Sequence, residues 1–247
     1  MTKDFIILIP SRIGSTRLKN KPLVDIDGKT LIQRVFEQSL KATSQSFIAT
    51  DSPLIYEHAK SFTDNIVMTS DTHISGTDRV FEAASILSLE KDQLIINLQG
   101  DEPFMPVDLI NTLVYDYANN ECDVITASHP IQLNEDFTNP NCVKVLSESS
   151  YATDFMRIPF KEPLELLNRH IGIYGYTFET LEKLVALEPS AREIDLKLEQ
   201  LRFMDNRYSI YVSQYRNSIQ SGIDTSDDVD AAILYSVSYT HLRAHET

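Results

Sequence analysis

Phe5–Pro10 reads FIILIP, apolar at every position, and such a run predicts a β-strand covered on both faces. Shorter apolar runs follow at SFIAT (46–50), NIVMT (65–69) and LIINLQ (94–99), each a further strand. Between them the period changes. Leu31, Ile32, Val35, Phe36 and Leu40 share one helical stripe after Gly28, and Pro53–Phe62 and Gly76–Leu87 also read as helices. Strand–helix alternation of this kind predicts an α/β fold with a mostly parallel, doubly wound sheet. The second half is less regular. CDVITAS (122–128), NCVKVL (141–146) and RHIGIYGYTF (169–178) are strand-like, the last with glycines that suit bends or close backbone approach. Helices are expected near 179–187 and 191–204, then a strand YSIYVSQY and a helix from about Thr225, with loops at 129–140 and 158–168. No repeat or low-complexity linker interrupts the pattern, so residues 1–236 read as a single domain.

Composition narrows the reading. A chain of 247 residues, 42% hydrophobic and 23% charged, has the make-up of a globular domain with one sizeable core. Its net charge of −14 argues against non-specific nucleic-acid binding, which needs a cationic footprint. An anionic small-molecule substrate stays possible only if its site is locally basic. Cys122 and Cys142 stand in no metal or redox spacing and are expected as reduced thiols. The apolar runs are shorter than a membrane span or a signal-peptide core, so a soluble, cytoplasmic protein is expected. VSYTHLRAHET (237–247) has no apolar period and resembles a translated sequencing-adapter read-through. It is set aside as a non-native tail, and His241 and His245 with it.

The chemistry is expected at the strand exits, because the ligand crevice of an open α/β sheet lies beyond the carboxyl ends of its strands. The first exit, SRIGSTRLKNK (11–21), carries Arg12, Arg17, Lys19 and Lys21 and no acid. Backbone amides, arginine forks and a lysine point charge suit a polyphosphate. The loop is neither GxxxxGK[ST] nor GxGxxG, so neither a P-loop NTPase nor a dinucleotide enzyme is supported. QGDEP (99–103) places Asp101 one glycine past an apolar strand, where a carboxylate can hold Mg²⁺ against phosphates. SGIDT (221–225) offers Asp224 or Thr225, either of which could instead cap the following helix. SDTHISGTDR (70–79) has glycine and hydroxyls for a base or ribose and Arg79 for an anion, or an ordinary N-cap with a surface arginine. No Ser/His/Asp or Cys/His arrangement suggests a covalent nucleophile.

In order and spacing, IPSRIGSTRLKNKPL, ATD, SGTDR, NLQGDEP, RHIGIYGY, LEQLR and GIDT make the chain resemble the CMP-Kdo synthetase (3-deoxy-manno-octulosonate cytidylyltransferase) family from residue 5 to about 235. The resemblance implies a nucleotidyltransferase fold with a smaller mixed β/α part for dimerisation and sugar binding. It implies that CTP and Kdo give CMP-Kdo and pyrophosphate, with Mg²⁺, for lipopolysaccharide biosynthesis by a cytoplasmic homodimer. On matching positions, Arg12, Ser15, Arg17 and Lys21 would hold the CTP phosphates, with Arg12, Lys21 and Asp101 closest to the catalysis. Pro10, Ser11, Ser75 and Gly76 would line the cytosine and ribose pocket, and Asp101 and Asp224 would ligate Mg²⁺. Arg79, Gln99, Arg157, His170, Tyr174, Glu199 and Gln200 would receive the sugar acid.

The chain departs from that pattern at TDFMRIPF (153–160), where the family often shows YFSR followed by IPW, and at KNKP, where it often shows PGKP. Asp154 would put a carboxylate near the sugar's tail, so an 8-amino-8-deoxy analogue of Kdo is a second candidate substrate. RHIGIYGY and LEQLR speak against a CMP-sialic acid synthetase, and the presence of Asp101 and Asp224 against a catalytically silent nucleotide-binding module.

Overall fold

Strand β1 (Phe5–Ser11) buries Ile6 to Ile9 almost completely, as a run without polar relief requires. The computed structural model that shows this describes residues 4–14, 17–131 and 135–244, with the side chains of 135–136 and 239–244 left aside. The chain forms two compact units, each discontinuous in sequence. The first comprises Ile6–Ser88, Asn97–Val107 and the residues from Ile219 onwards; the second comprises the residues up to Phe5, Leu89–Ile96 and Asp108–Ser218.

In the first unit β1 is followed by a short hairpin, β2 (Asp25–Ile26) and β3 (Lys29–Thr30). Its turn residues Asp27 and Gly28 both take positive φ, 52° and 79°, which a tight two-residue hairpin favours. The hairpin and its Asp-Gly signal went unread in the sequence. Helix α1 (Leu31–Ser39) buries Leu31, Ile32, Val35 and Phe36, while Leu40 caps its end and is 40% exposed. Then come β4 (Ser46–Thr50), α2 (Pro53–Ala59), β5 (Ile66–Met68) and α3 (Gly76–Ile86). β1, β4 and β5 are parallel, with Ser11 opposite Thr50 and Thr50 opposite Met68. Their carboxyl ends therefore coincide at one edge, and the three following loops start side by side.

The second unit takes in β6 (Leu94–Asn97), α4 (Val107–Asn119), β7 (Val124–Pro130), α5 (Glu135–Thr138), β8 (Lys144–Glu148) and β9 (Tyr151–Met156). It continues through β10 (Leu167–Thr177), α6 (Phe178–Val185), α7 (Ala191–Leu196), α8 (Gln200–Asp205) and β11 (Ile210–Gln214). Its strands run in the order β6-β10-β7-β11-β9-β8 and are mixed in direction: β11 is parallel to β7, whereas β10 is antiparallel to β7 and β9 to β8. Gly175 on β10 is required by close packing, since a Cβ there would lie 2.7 Å from Ile125 Cγ2. The helix expected over 191–204 is two, because Lys197 turns into the left-handed region at φ 53°.

Helix α9 (Ser226–Ala244) returns the chain to the first unit. It runs on through most of the segment set aside as a tail, and residues 245–247 lie outside those described. Cys122 and Cys142 are both free thiols; burial first, then the neighbouring Asp123, pushes Cys122 up to about 12 and leaves it unreactive. Among the described residues no helix is long and apolar enough to cross a membrane.

Candidate active site

The shared edge of β1, β4 and β5 opens into a cavity of about 450 Å³ whose lining comes wholly from the first unit. Three loops meet around the end of β1. Gly100 presses against it so closely that a Cβ there would lie 2.8 Å from the carbonyl oxygen of Pro10. Gly76, at the start of α3, faces the Pro10 ring, and a Cβ would meet Cγ at 3.4 Å. Ser75 fixes that helix start with a capping box: its side chain accepts from Asp78 N–H, and Asp78 accepts from the Ser75 backbone. The segment before α9 is stitched on by Ile223 N–H donating to Asp101 O at 2.9 Å.

Charge gathers where these loops converge. Asn20, in the left-handed region at φ 54°, turns the chain into a single 3₁₀ turn that begins at Lys21. Lys21 Nζ then donates to Asp101 Oδ2 at 2.7 Å and to Asp224 Oδ1 at 3.0 Å. Arg17 Nη2 pairs with Asp224 Oδ2 at 2.9 Å. Burial works against the ammonium charge, but Asp101 and then Asp224 outweigh it, and the Lys21 pKa is raised above its ordinary value. Partners 80 and 203 residues away in sequence thus meet on one nitrogen. Arg12 is exposed at the rim.

Other polar groups line the cavity. Ser11 Oγ is buried with no hydrogen-bond partner among the described residues, an atom that a ligand could satisfy. Arg79 is 2% exposed, and its donors are largely committed: Nη2 to Asp51 Oδ2 and Nη1 to Thr69 Oγ1, each at 2.6 Å. It therefore ties α3 to the exits of β4 and β5. Gln99 Nε2 donates to Asn97 Oδ1 at 3.0 Å. His73 and Ile74 also line the cavity; in the sequence His73 has no partner at metal spacing, and neither residue is expected there as a site residue. His73 pairs with Glu82, which accepts from Ser70 N–H as well; burial opposes the Glu82 charge, yet these contacts hold its pKa below the usual value.

One cavity thus collects Pro10, Ser11, Arg12, Arg17, Lys21, Ser75, Gly76, Arg79, Gln99, Asp101 and Asp224. Ser15 lies outside the described residues. Arg157, His170, Tyr174, Glu199 and Gln200 do not line this cavity and belong to the second unit. There His170 shares a hydrogen bond of 2.9 Å with Thr126 Oγ1 and lies edge-on to Phe155, and burial drives its pKa down to about 3. Tyr174 is pushed well up, by burial first and then by Glu199. Gln200 is buried, and Arg157 spends its guanidinium on the carbonyls of Leu196, Pro140 and Lys197. Asp154 is ion-paired with Arg192.

A family model described as cytidylyltransferase matches residues 6–216. The chain belongs to the cytidylyltransferase family. Its cavity gathers cations and carboxylates, and the chain is a nucleotidyltransferase. Among curated relatives, the 3-deoxy-manno-octulosonate cytidylyltransferase of Saccharophagus degradans is 38% identical over 92% of this chain and 96% of its own. The protein of the same name from Francisella tularensis is 42% identical over 91% and 95%. A solved CMP:2-keto-3-deoxy-manno-octonic acid synthetase complexed with CTP superposes with a TM-score of 0.88 at 32% identity, covering 96% of this cytidylyltransferase and 100% of that chain. A cytidylyltransferase from Leptospira borgpetersenii, 16% identical with a TM-score of 0.60 over 94% of this chain and 85% of its own, shares the fold.

Proposed function

We propose that the protein transfers the cytidylyl group of CTP to 3-deoxy-manno-octulosonate, giving CMP-Kdo and pyrophosphate. The observation that carries this is the meeting of Arg17, Lys21, Asp101 and Asp224 at one cavity, in a chain about 40% identical to relatives named for that reaction. The sugar's anomeric hydroxyl attacks the α-phosphorus in line; the new O–P bond forms as the bond from the α-phosphorus to the bridging oxygen breaks, pyrophosphate leaves with that oxygen, and the hydroxyl proton is released to water. The protein supplies placement and charge neutralisation, with no covalent intermediate. Arg12, Arg17 and Lys21 receive the triphosphate. Pro10, Ser11, Ser75 and Gly76 enclose the nucleoside, with Ser11 Oγ supplying a hydrogen bond it otherwise lacks. Arg79 and Gln99 flank the reacting end, Arg79 as a positioning residue because its donors are held by Asp51 and Thr69. Arg157, His170, Tyr174, Glu199 and Gln200 remain the candidates for the sugar, His170 as a neutral imidazole.

Two converging carboxylates completed by phosphate oxygens and water are a donor set that suits Mg²⁺, so Asp101 and Asp224 would hold it. When bound, that ion offsets charge at the α-phosphate and on departing pyrophosphate. The proposal extends to a cytoplasmic homodimer whose product serves lipopolysaccharide synthesis; the exposed apolar residues Ile158, Phe160, Leu164 and Leu166 support self-association. Plain Kdo is favoured over its 8-amino analogue because the Asp154 carboxylate is already paired with Arg192.

Pyrophosphate release should be measured with CTP against Kdo, 8-amino-Kdo and sialic acid. The expected result is turnover of Kdo that needs Mg²⁺ and is lost in Asp101→Asn with the fold retained. Preference for either other sugar would overturn the substrate assignment, and full activity in Asp101→Asn would remove that residue from the metal role.

A further inference from the structure

Asp101 and Asp224 are closed by the protein's own cations. Lys21 Nζ bridges Asp101 Oδ2 and Asp224 Oδ1, and Arg17 takes Asp224 Oδ2, so three of the four carboxylate oxygens already face a positive charge. Two negative and two positive groups cancel locally. A divalent ion entering this cluster would compete with the ammonium for the same oxygens and meet like charge at contact range. A triphosphate changes that balance, because its oxygens offer Lys21 and Arg17 replacement acceptors at least as strong as a carboxylate.

We infer that Lys21 is an internal counter-cation that stands in for the divalent ion between Asp101 and Asp224 until a nucleoside triphosphate draws it away, so that nucleotide binding is the precondition for tight metal binding. The inference rests on the reading that these two aspartates hold Mg²⁺. Metal and nucleotide then bind with positive coupling, and by linkage each raises the affinity of the other. The charge cluster also keeps two carboxylates and two cations close together without leaving any of them unpaired in the half-buried cavity mouth.

The test uses Mn²⁺ as probe, followed by electron paramagnetic resonance in the full-length protein without nucleotide. Lys21→Met removes the ammonium while keeping a flexible side chain. The Asp101 and Asp224 side chains are 32% and 42% exposed, so water can hydrate them in the variant. Nucleotide-free Lys21→Met should bind Mn²⁺ roughly tenfold tighter than the wild type, within the 5–150-fold usual for coupled sites. The gain should vanish in Lys21→Met combined with Asp224→Asn. Lys21→Gln carries the same measurement should the methionine variant not fold. If neither variant gains affinity, the counter-cation role is overturned. Asp101→Asn measured with CTP and Mn²⁺ separates the two readings: weakened Mn²⁺ binding there keeps the metal assignment even if Lys21 fails, whereas unchanged binding sinks both.

Discussion

Single atoms decide how near the loops of this site can come. Gly100 and Gly222 both lack room for a Cβ, but for different reasons. At Gly100 the obstacle is the backbone carbonyl of Pro10, 2.8 Å from the added carbon, and a strand end buried in the core cannot step aside. At Gly222 the obstacle is Glu102 Oε1 at 2.7 Å, the far end of a flexible side chain. Gly100→Ala should therefore displace Asp101 from Lys21 and lower kcat/KM by roughly a hundredfold, as a misplacement of about 1 Å can. Gly222→Ala should cost much less, since Glu102 can rotate away. Steady-state pyrophosphate release by the two variants checks the order, and equal losses would refute the argument. The pair also shows what was readable beforehand. Asp101 and Asp224 were each legible as acids after a turn, but their shared contact with Lys21 spans 80 and 203 residues and carries no local pattern.

Elements were legible where one physical signal dominated. β4 occupies Ser46–Thr50 as read, and α2 and α3 begin at Pro53 and Gly76, where a proline at the first turn and a serine cap mark the start. α4 has a buried stripe of Leu109, Ile110, Leu113 and Val114, but no Ser, Thr, Asp or Asn stands immediately before Val107 to mark its start as a cap would. β9 escaped because Tyr151–Met156 mixes buried and exposed positions without clean alternation. The capping box at Ser75 joins element to function. It holds the N-terminus of α3 in the one register that brings Gly76 against Pro10. Ser75→Ala should cost about 1 kcal/mol of stability, the usual worth of such a cap. Urea unfolding measures that loss, and KM for CTP should rise more than kcat falls. An unchanged KM would confine Ser75 to a structural role.

The whole molecule carries a charge of −14, yet its cavity sets Arg12, Arg17, Lys21 and Arg79 against Asp101 and Asp224 and is locally basic, so the long-range field works against anionic substrates and short-range pairing must overcome it. A surface that acidic should also hold copies apart unless apolar area compensates. Such area is concentrated in one stretch of the second unit, between β9 and β10, where Ile158, Phe160, Leu164 and Leu166 are 51%, 86%, 47% and 54% exposed. Side chains of this size rarely crowd a solvent-facing loop without a partner. Glu162 accepts from the backbone N–H groups of Phe160 and Lys161 and holds the loop in shape, so Phe160 is presented by the fold. Burying such a ring against a second copy would make it an anchor whose loss costs about 2 kcal/mol or more, a weakening of roughly thirtyfold. Sedimentation at micromolar concentration should find the wild type dimeric, with Phe160→Glu shifted towards monomer and its thermal unfolding otherwise intact. A monomeric wild type would end the self-association proposal, and a dimer indifferent to Phe160→Glu would move the interface elsewhere.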